Sequence, residues 1–106
     1  MEWLKIFDSE AEARTRIKED KPQLLIVKGQ RICLTLHNGE FFAVQDACTH
    51  NGDSLSKGQV NYLGEIICPW HNYRFQLNTG RACDSSCRDL ATFGIKSDNS
   101  GFFIGL

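Results

Sequence analysis

Two short stretches hold the residues best suited to chemistry. Cys48-Thr49-His50 is followed, after 17 intervening residues, by Cys68-Pro69-Trp70-His71. Together they read C-x-H then C-x2-H, and they take up two of the three histidines in the chain. Each stretch offers one soft thiolate and one borderline imidazole. Two sulfur and two nitrogen donors suit either tetrahedral zinc or an iron-sulfur centre. Loops can turn four such side chains toward one point while strands hold the loop ends rigid.

The elements that must do this holding are mostly strands. Short aliphatic and aromatic runs, broken by Gly, Asn and Asp, begin at Leu24. "LLIV" reads as a buried strand. "RICLTLH" and "EFFAVQ" flank Asn38-Gly39, a pair that tolerates the positive φ of a type I′ hairpin turn. "QVNY" and "EIIC" join across Leu63-Gly64, "YRFQL" runs into "NTGR", and "ATFGIKS" pairs with "GFFIGL" across "DNSG". Many short strands at this spacing predict an all-β sandwich or barrel. One helix is expected over residues 9–19, opened by a Ser9/Glu12 capping box and stopped ahead of Pro22.

At 106 residues and 42% hydrophobic content the chain is expected to form one domain, residues 1–106, around one core. Twelve basic and 13 acidic residues give a net charge of −1 with no basic stripe, so nucleic acid is not an expected partner. The N-terminal "MEWLKIFDSEAEARTR" has no continuous apolar run, so neither a signal peptide nor a membrane anchor is expected, and the protein reads as cytoplasmic. An odd count of five cysteines then favours thiols kept for metal or buried as small side chains over a disulfide framework.

The segments "CTHNGDSLSKG" and "CPWHNYRFQLNTG" resemble the two cluster-binding loops of Rieske-type 2Fe-2S proteins, and the strand pattern is similar to that family's over nearly the whole chain. The resemblance implies a Rieske fold: an antiparallel β-sandwich or barrel base, with a small cluster-binding subdomain of two loops at about residues 46–76. It also implies one 2Fe-2S cluster per chain, with Cys48 and Cys68 on one iron and His50 and His71 on the other. Two ferric ions and two sulfides carry a charge of plus two, which two thiolates cancel. A neutral centre accepts an electron more readily than one with four thiolates.

High-potential members resemble "CTHLGC" and "CPCHGS", with a disulfide between the loops and a serine and a tyrosine donating to the cluster. Here Asp53 and Trp70 stand at the disulfide positions, Tyr73 at the serine and Phe75 at the tyrosine. Fewer donors imply a potential near the low end of roughly −150 to +300 mV. Oxygenase members add a mononuclear iron on two histidines and a carboxylate. Once His50 and His71 are used, only His37 remains, so this chain is not expected to be an enzyme and has no catalytic residues.

The resemblance is to stand-alone ferredoxins of ring-hydroxylating oxygenase systems. It implies a monomeric carrier from a flavin-dependent NAD(P)H reductase to a terminal oxygenase. Both partners would dock near His50 and His71, on a surface set by Trp70, Asn51 and Asn72. Two alternatives share these residues: the small subunit of an assimilatory nitrite reductase, and a structural zinc module. His37 reads as a solvated turn residue, Cys33 as a small core side chain, and Cys83 and Cys87 as thiols in a loop covering the cluster.

Overall fold

The computed structural model describes residues 2–70, 72–83 and 87–106. It is mostly β. Strands β1 (Trp3–Phe7), β2 (Gln23–Val27), β3 (Gln30–His37), β4 (Glu40–Gln45), β8 (Thr92–Asp98) and β9 (Gly101–Gly105) form one antiparallel sheet in the order β1-β9-β8-β4-β3-β2. Strands β5 (Gln59–Val60), β6 (Glu65–Ile67) and β7 (Arg74–Gln76) form a second, smaller antiparallel sheet. The ion pair of Lys28 with Glu2, at 2.7 Å, ties the β2–β3 turn to the start of β1, so the two edges of the large sheet approach and the barrel nearly closes.

Strand β3 explains how one barrel supports a second layer. Side chains alternate across a strand, and here both faces are covered: every residue from Ile32 to His37 is buried. Ile32, Leu34 and Leu36 join Ala13, Ile17, Ala43, Phe102 and Ile104 in a core inside the barrel. Cys33, on the opposite face, joins Val44, Leu55, Ile66, Phe75, Leu77, Leu90, Cys48 and Cys68 in a second core beneath the small sheet. Each fully buried Leu, Ile or Phe contributes about 1.5–3 kcal/mol. The thiols of both candidate motifs therefore sit in a layer that is itself structural.

The Asn38-Gly39 hairpin forms as expected, with φ of 52° and 79°, and β3 pairs with β4 from Ile32↔Gln45 to His37↔Glu40. The helix α1 spans Glu10–Arg16 and is capped by Ser9, whose Oγ accepts the Glu12 N–H at 3.0 Å. The Glu12 carboxylate accepts from Asp8, one residue outside the expected box. Helix α1 ends three residues early because Ile17 turns extended to bury its side chain in the barrel.

Two features differ from the sequence reading. The "LLIV" run is an edge strand: Leu25 and Val27 pack on the barrel core, and Leu24 and Ile26, on the other face, are exposed. Strand β1 was not expected. It pairs with β9, about a hundred residues away, through a register shift between Lys5 and Phe7.

Residues 46–90 are inserted between β4 and β8. At the mouth of this insertion the Gln45 N–H donates to the Ala91 carbonyl at 2.9 Å, and the Ala91 N–H donates to the Gln45 side-chain oxygen at 2.7 Å. Among the described residues, no helix is long and apolar enough to cross a membrane.

Candidate metal centre

Three loops of the insertion meet at its tip. The first is closed by an Ala47↔Ser54 bridge. Inside it the Cys48 N–H donates to the Asp53 carbonyl at 2.8 Å and the Gly52 N–H to the Cys48 carbonyl at 2.7 Å. The second is the β6–β7 turn, closed by the Cys68 N–H donating to the Tyr73 carbonyl at 2.7 Å. The third follows β7. It folds back so that the Cys83 N–H donates to the Arg74 carbonyl at 2.9 Å and the Leu90 N–H to the Gly80 carbonyl at 2.7 Å. A hydrogen bond from Thr49 Oγ1 to the Arg88 carbonyl, 2.5 Å, fastens the first loop to the third.

Close backbone approach sets the height of the second loop. Gly58 ends a single 3₁₀ turn, Leu55–Lys57, and lies so near β6 that a Cβ there would meet the Ile67 carbonyl oxygen at 2.0 Å. Only glycine lets these backbones touch, and Ile67 immediately precedes Cys68.

Cys48 and Cys68 are brought into one core. Both are buried, at 2% and 0% exposure, and the Cys68 Sγ donates to Asn51 Oδ1 at 3.9 Å. Burial pushes the Cys68 thiol up to about 11, and the adjacent Cys48 and the Asp53 charge act in the same direction. A buried thiol that resists ionisation suits a cationic centre, which replaces its proton and neutralises its thiolate. The donor set therefore fits a thiophilic metal group.

His50 lies at the exposed rim, its ring against Tyr73 at a centroid distance of 4.0 Å. Tyr73 in turn packs on the core that holds the two thiols. His71 lies outside the described residues. Trp70 beside it is 58% exposed at the tip. A cleft lined by Lys57, Pro69, Asn72 and Arg74 runs along the Cys68 side. Phe75, buried and without a hydroxyl, offers no donor.

His37 is not a solvated turn residue. It is buried, and its Nδ1 lies 2.6 Å from the Asp20 carboxylate. A parallel bridge between Glu19 and Leu36 brings this partner in from 17 residues away. Glu19, Asp20 and His37 are, among the described residues, a trio of donors within 4.8 Å of one another. Two of them stand at hydrogen-bond spacing, and the Glu19 carboxylate accepts the Asn38 N–H. Donors about 2.1 Å from one tetrahedral ion sit about 3.4 Å apart, so the trio is a structural hydrogen-bonded group.

Cys33 is a core side chain, pushed up to about 12 chiefly by burial. Cys83 is exposed and donates to Glu65 at 3.1 Å, while Cys87 packs against the core that holds Cys48 and Cys68. The residue that sequence reasoning missed is Asp46, fully buried at the neck of the first loop. Burial opposes its charge, but hydrogen bonds from Ser54 and Ser56 and the Arg31 guanidinium outweigh it and hold the carboxyl below the usual range.

Residues 7–94 match the family described as Rieske [2Fe-2S] domain. The chain is similar to the ferredoxin component of the p-cumate 2,3-dioxygenase system of Pseudomonas putida, with 41% identity over 72% of this chain and 65% of that protein. The matched stretch thus spans a little under two thirds of that relative's length. Similarity to the ferredoxin component of the naphthalene 1,2-dioxygenase system of Pseudomonas putida is 33% over 92% of this chain and 93% of the other. The fold is similar to that of the ferredoxin of carbazole 1,9a-dioxygenase from Nocardioides aromaticivorans IC177. The TM-score is 0.83 at 19% identity, covering 99% of this chain and 98% of that one.

Proposed function

Because the chain belongs to the Rieske 2Fe-2S domain family, we propose that Cys48 and Cys68 hold one iron, and His50 and His71 the other, of a single 2Fe-2S cluster per chain. The observation that carries this reading is the pair of buried thiols delivered by two loops to one core, with His50 at the solvent edge. The bound cluster would supply reversible uptake of one electron.

The protein's own residues divide the remaining work. The core around Cys33, Leu55, Ile66 and Phe75 keeps water from the sulfur side. The third loop, clasped by Thr49, covers the flank. His50 and Trp70 form an exposed rim where a partner can come close to the centre, and Lys57, Asn72 and Arg74 line the cleft on its Cys68 side. Phe75 has no hydroxyl to donate toward the sulfurs, which supports a potential near the low end of roughly −150 to +300 mV.

The protein is an electron carrier and not itself an enzyme. In our reading it takes electrons from a flavin-dependent NAD(P)H reductase and passes them to a terminal oxygenase, docking both near His50 and His71; the names of its relatives, ferredoxin components of dioxygenase systems, support the oxygenase half. The whole chain would act as one monomeric domain in a reducing, cytoplasmic setting, in keeping with cysteines that form no disulfide.

The test is iron and labile-sulfide analysis of purified protein, followed by EPR-monitored potentiometry. Two irons, two sulfides, a rhombic reduced signal and a low midpoint are expected. A colourless protein carrying zinc without sulfide overturns the reading.

A further inference from the structure

Among the described residues, Asp46 is the only carboxylate buried from solvent. It follows the last residue of β4 and precedes Cys48 by two positions. Its Oδ2 accepts from Ser54 Oγ at 2.6 Å and from Arg31 Nη2 at 3.2 Å, and its Oδ1 accepts the Ser56 N–H at 2.9 Å. The backbone adds two more ties: the Leu55 N–H donates to the Asp46 carbonyl at 2.7 Å, and the Asp46 N–H donates to the Arg31 carbonyl at 3.2 Å. Every side-chain partner is a donor, so the group is used as an acceptor-only carboxylate.

These bonds join the two ends of the first loop to each other and to β3. Leu55, between the two bonded serines, drops fully buried into the core that holds Cys48 and Cys68. An amide in its place would turn its own N–H donors toward one of these donors, so only a carboxylate accepts from all three.

We propose that Asp46 is a positioning residue for the metal centre: its carboxylate draws both ends of the first loop onto Arg31, which fixes where Cys48 meets Cys68. The proposal rests on the ligand assignment above.

The test compares Asp46→Asn, Ser54→Ala and the wild type as loaded proteins. It reads iron and sulfide content, EPR line positions, midpoint potential and amide hydrogen exchange at Leu55 and Ser56. Asp46→Asn keeps the volume but removes the charge. The expected result is a changed midpoint, shifted EPR lines and exchange at least about tenfold faster at Ser56, since a hydrogen bond to a charged group contributes about 1.5–3 kcal/mol. Ser54→Ala keeps the carboxylate and loses one tie, so faster exchange with smaller changes in midpoint and lines is expected.

A loaded Asp46→Asn protein with wild-type midpoint, lines and exchange overturns the proposal alone. If Asp46→Asn does not load, Ser54→Ala decides: accelerated exchange supports the proposal and unchanged exchange overturns it. A wild type that lacks iron and sulfide overturns the ligand assignment and this proposal with it.

Discussion

The imidazole of His50 lies against the ring of Tyr73, with centroids 4.0 Å apart and planes inclined by 33°. The backbone oxygen of the same tyrosine closes the Cys68 turn. One residue thus steadies a candidate ligand from each motif. An aromatic contact of this kind contributes about 1 kcal/mol, roughly fivefold in a rate of cluster loss. Tyr73→Phe is expected to keep the wild-type rate, and Tyr73→Ala to lose the cluster about fivefold faster, followed by bleaching of visible absorbance. Equal losses in both variants would assign the effect to the hydroxyl instead of the ring.

Gly58→Ala should be costly at a position that looks like a plain turn. Its new Cβ would fall 2.0 Å from the Ile67 oxygen, and both groups are held by backbone. Destabilisation of about 3 kcal/mol or more is expected in urea denaturation, together with a lower iron content. A variant as stable as the wild type would show that β5 can slide along β6.

Glu65 links the small sheet to the third loop. Hydrogen bonds from Asn61 and Cys83, helped by the Arg74 charge and opposed by burial, hold its carboxyl below the ordinary 4.5. A depressed folded value contributes stability that is complete above pH 4.5 and is lost as pH falls through the lower folded value. Urea midpoints measured from pH 6 downward should therefore fall more steeply for the wild type than for Glu65→Gln. Parallel curves would mean that Glu65 titrates alike in the folded and unfolded chain.

The same contact governs Cys83. Burial raises its thiol, and the hydrogen bond to Glu65 and the Glu65 charge raise it further, against Arg74. Despite its exposure, Cys83 should react with iodoacetamide at neutral pH more slowly than a free thiol, because the thiolate is the reactive form. Glu65→Gln should speed the reaction, read by mass spectrometry at this cysteine. No acceleration would show that burial alone controls it.

Substitution of candidate ligands should separate chemistry from scaffold. Cys48→Ser and His71→Ala are expected to abolish the visible spectrum. His37→Ala should retain it while costing about 1–3 kcal/mol, because Asp20 loses its partner. An intact spectrum in either ligand variant would overturn the ligand set.

What was legible in the sequence is local. Asn38-Gly39 announces its turn because two adjacent residues accept positive φ, and each candidate motif carries its thiol and imidazole within four positions. What was not legible depends on distant partners. His37 looks like a polar turn residue until Asp20 arrives by way of the Glu19↔Leu36 bridge. "LLIV" is as apolar as a central strand, and only its place at the end of the sheet leaves Ile26 64% exposed. Asp46 reads as an ordinary acidic residue ending a strand. Its burial follows from Ser54, Ser56 and Arg31, none of which is adjacent to it in sequence.

The doorway formed by Gln45 and Ala91 has a consequence for how such a molecule diversifies. The chain enters and leaves the inserted segment at neighbouring points on two paired strands. Lengthening or rewriting a loop inside the segment leaves the pairing on either side untouched, so the barrel acts as a socket and the insertion as an exchangeable cap. Partner choice and electron affinity can then drift largely in the cap, while the socket keeps Arg31 and the Cys33 face of β3 on which the cap rests.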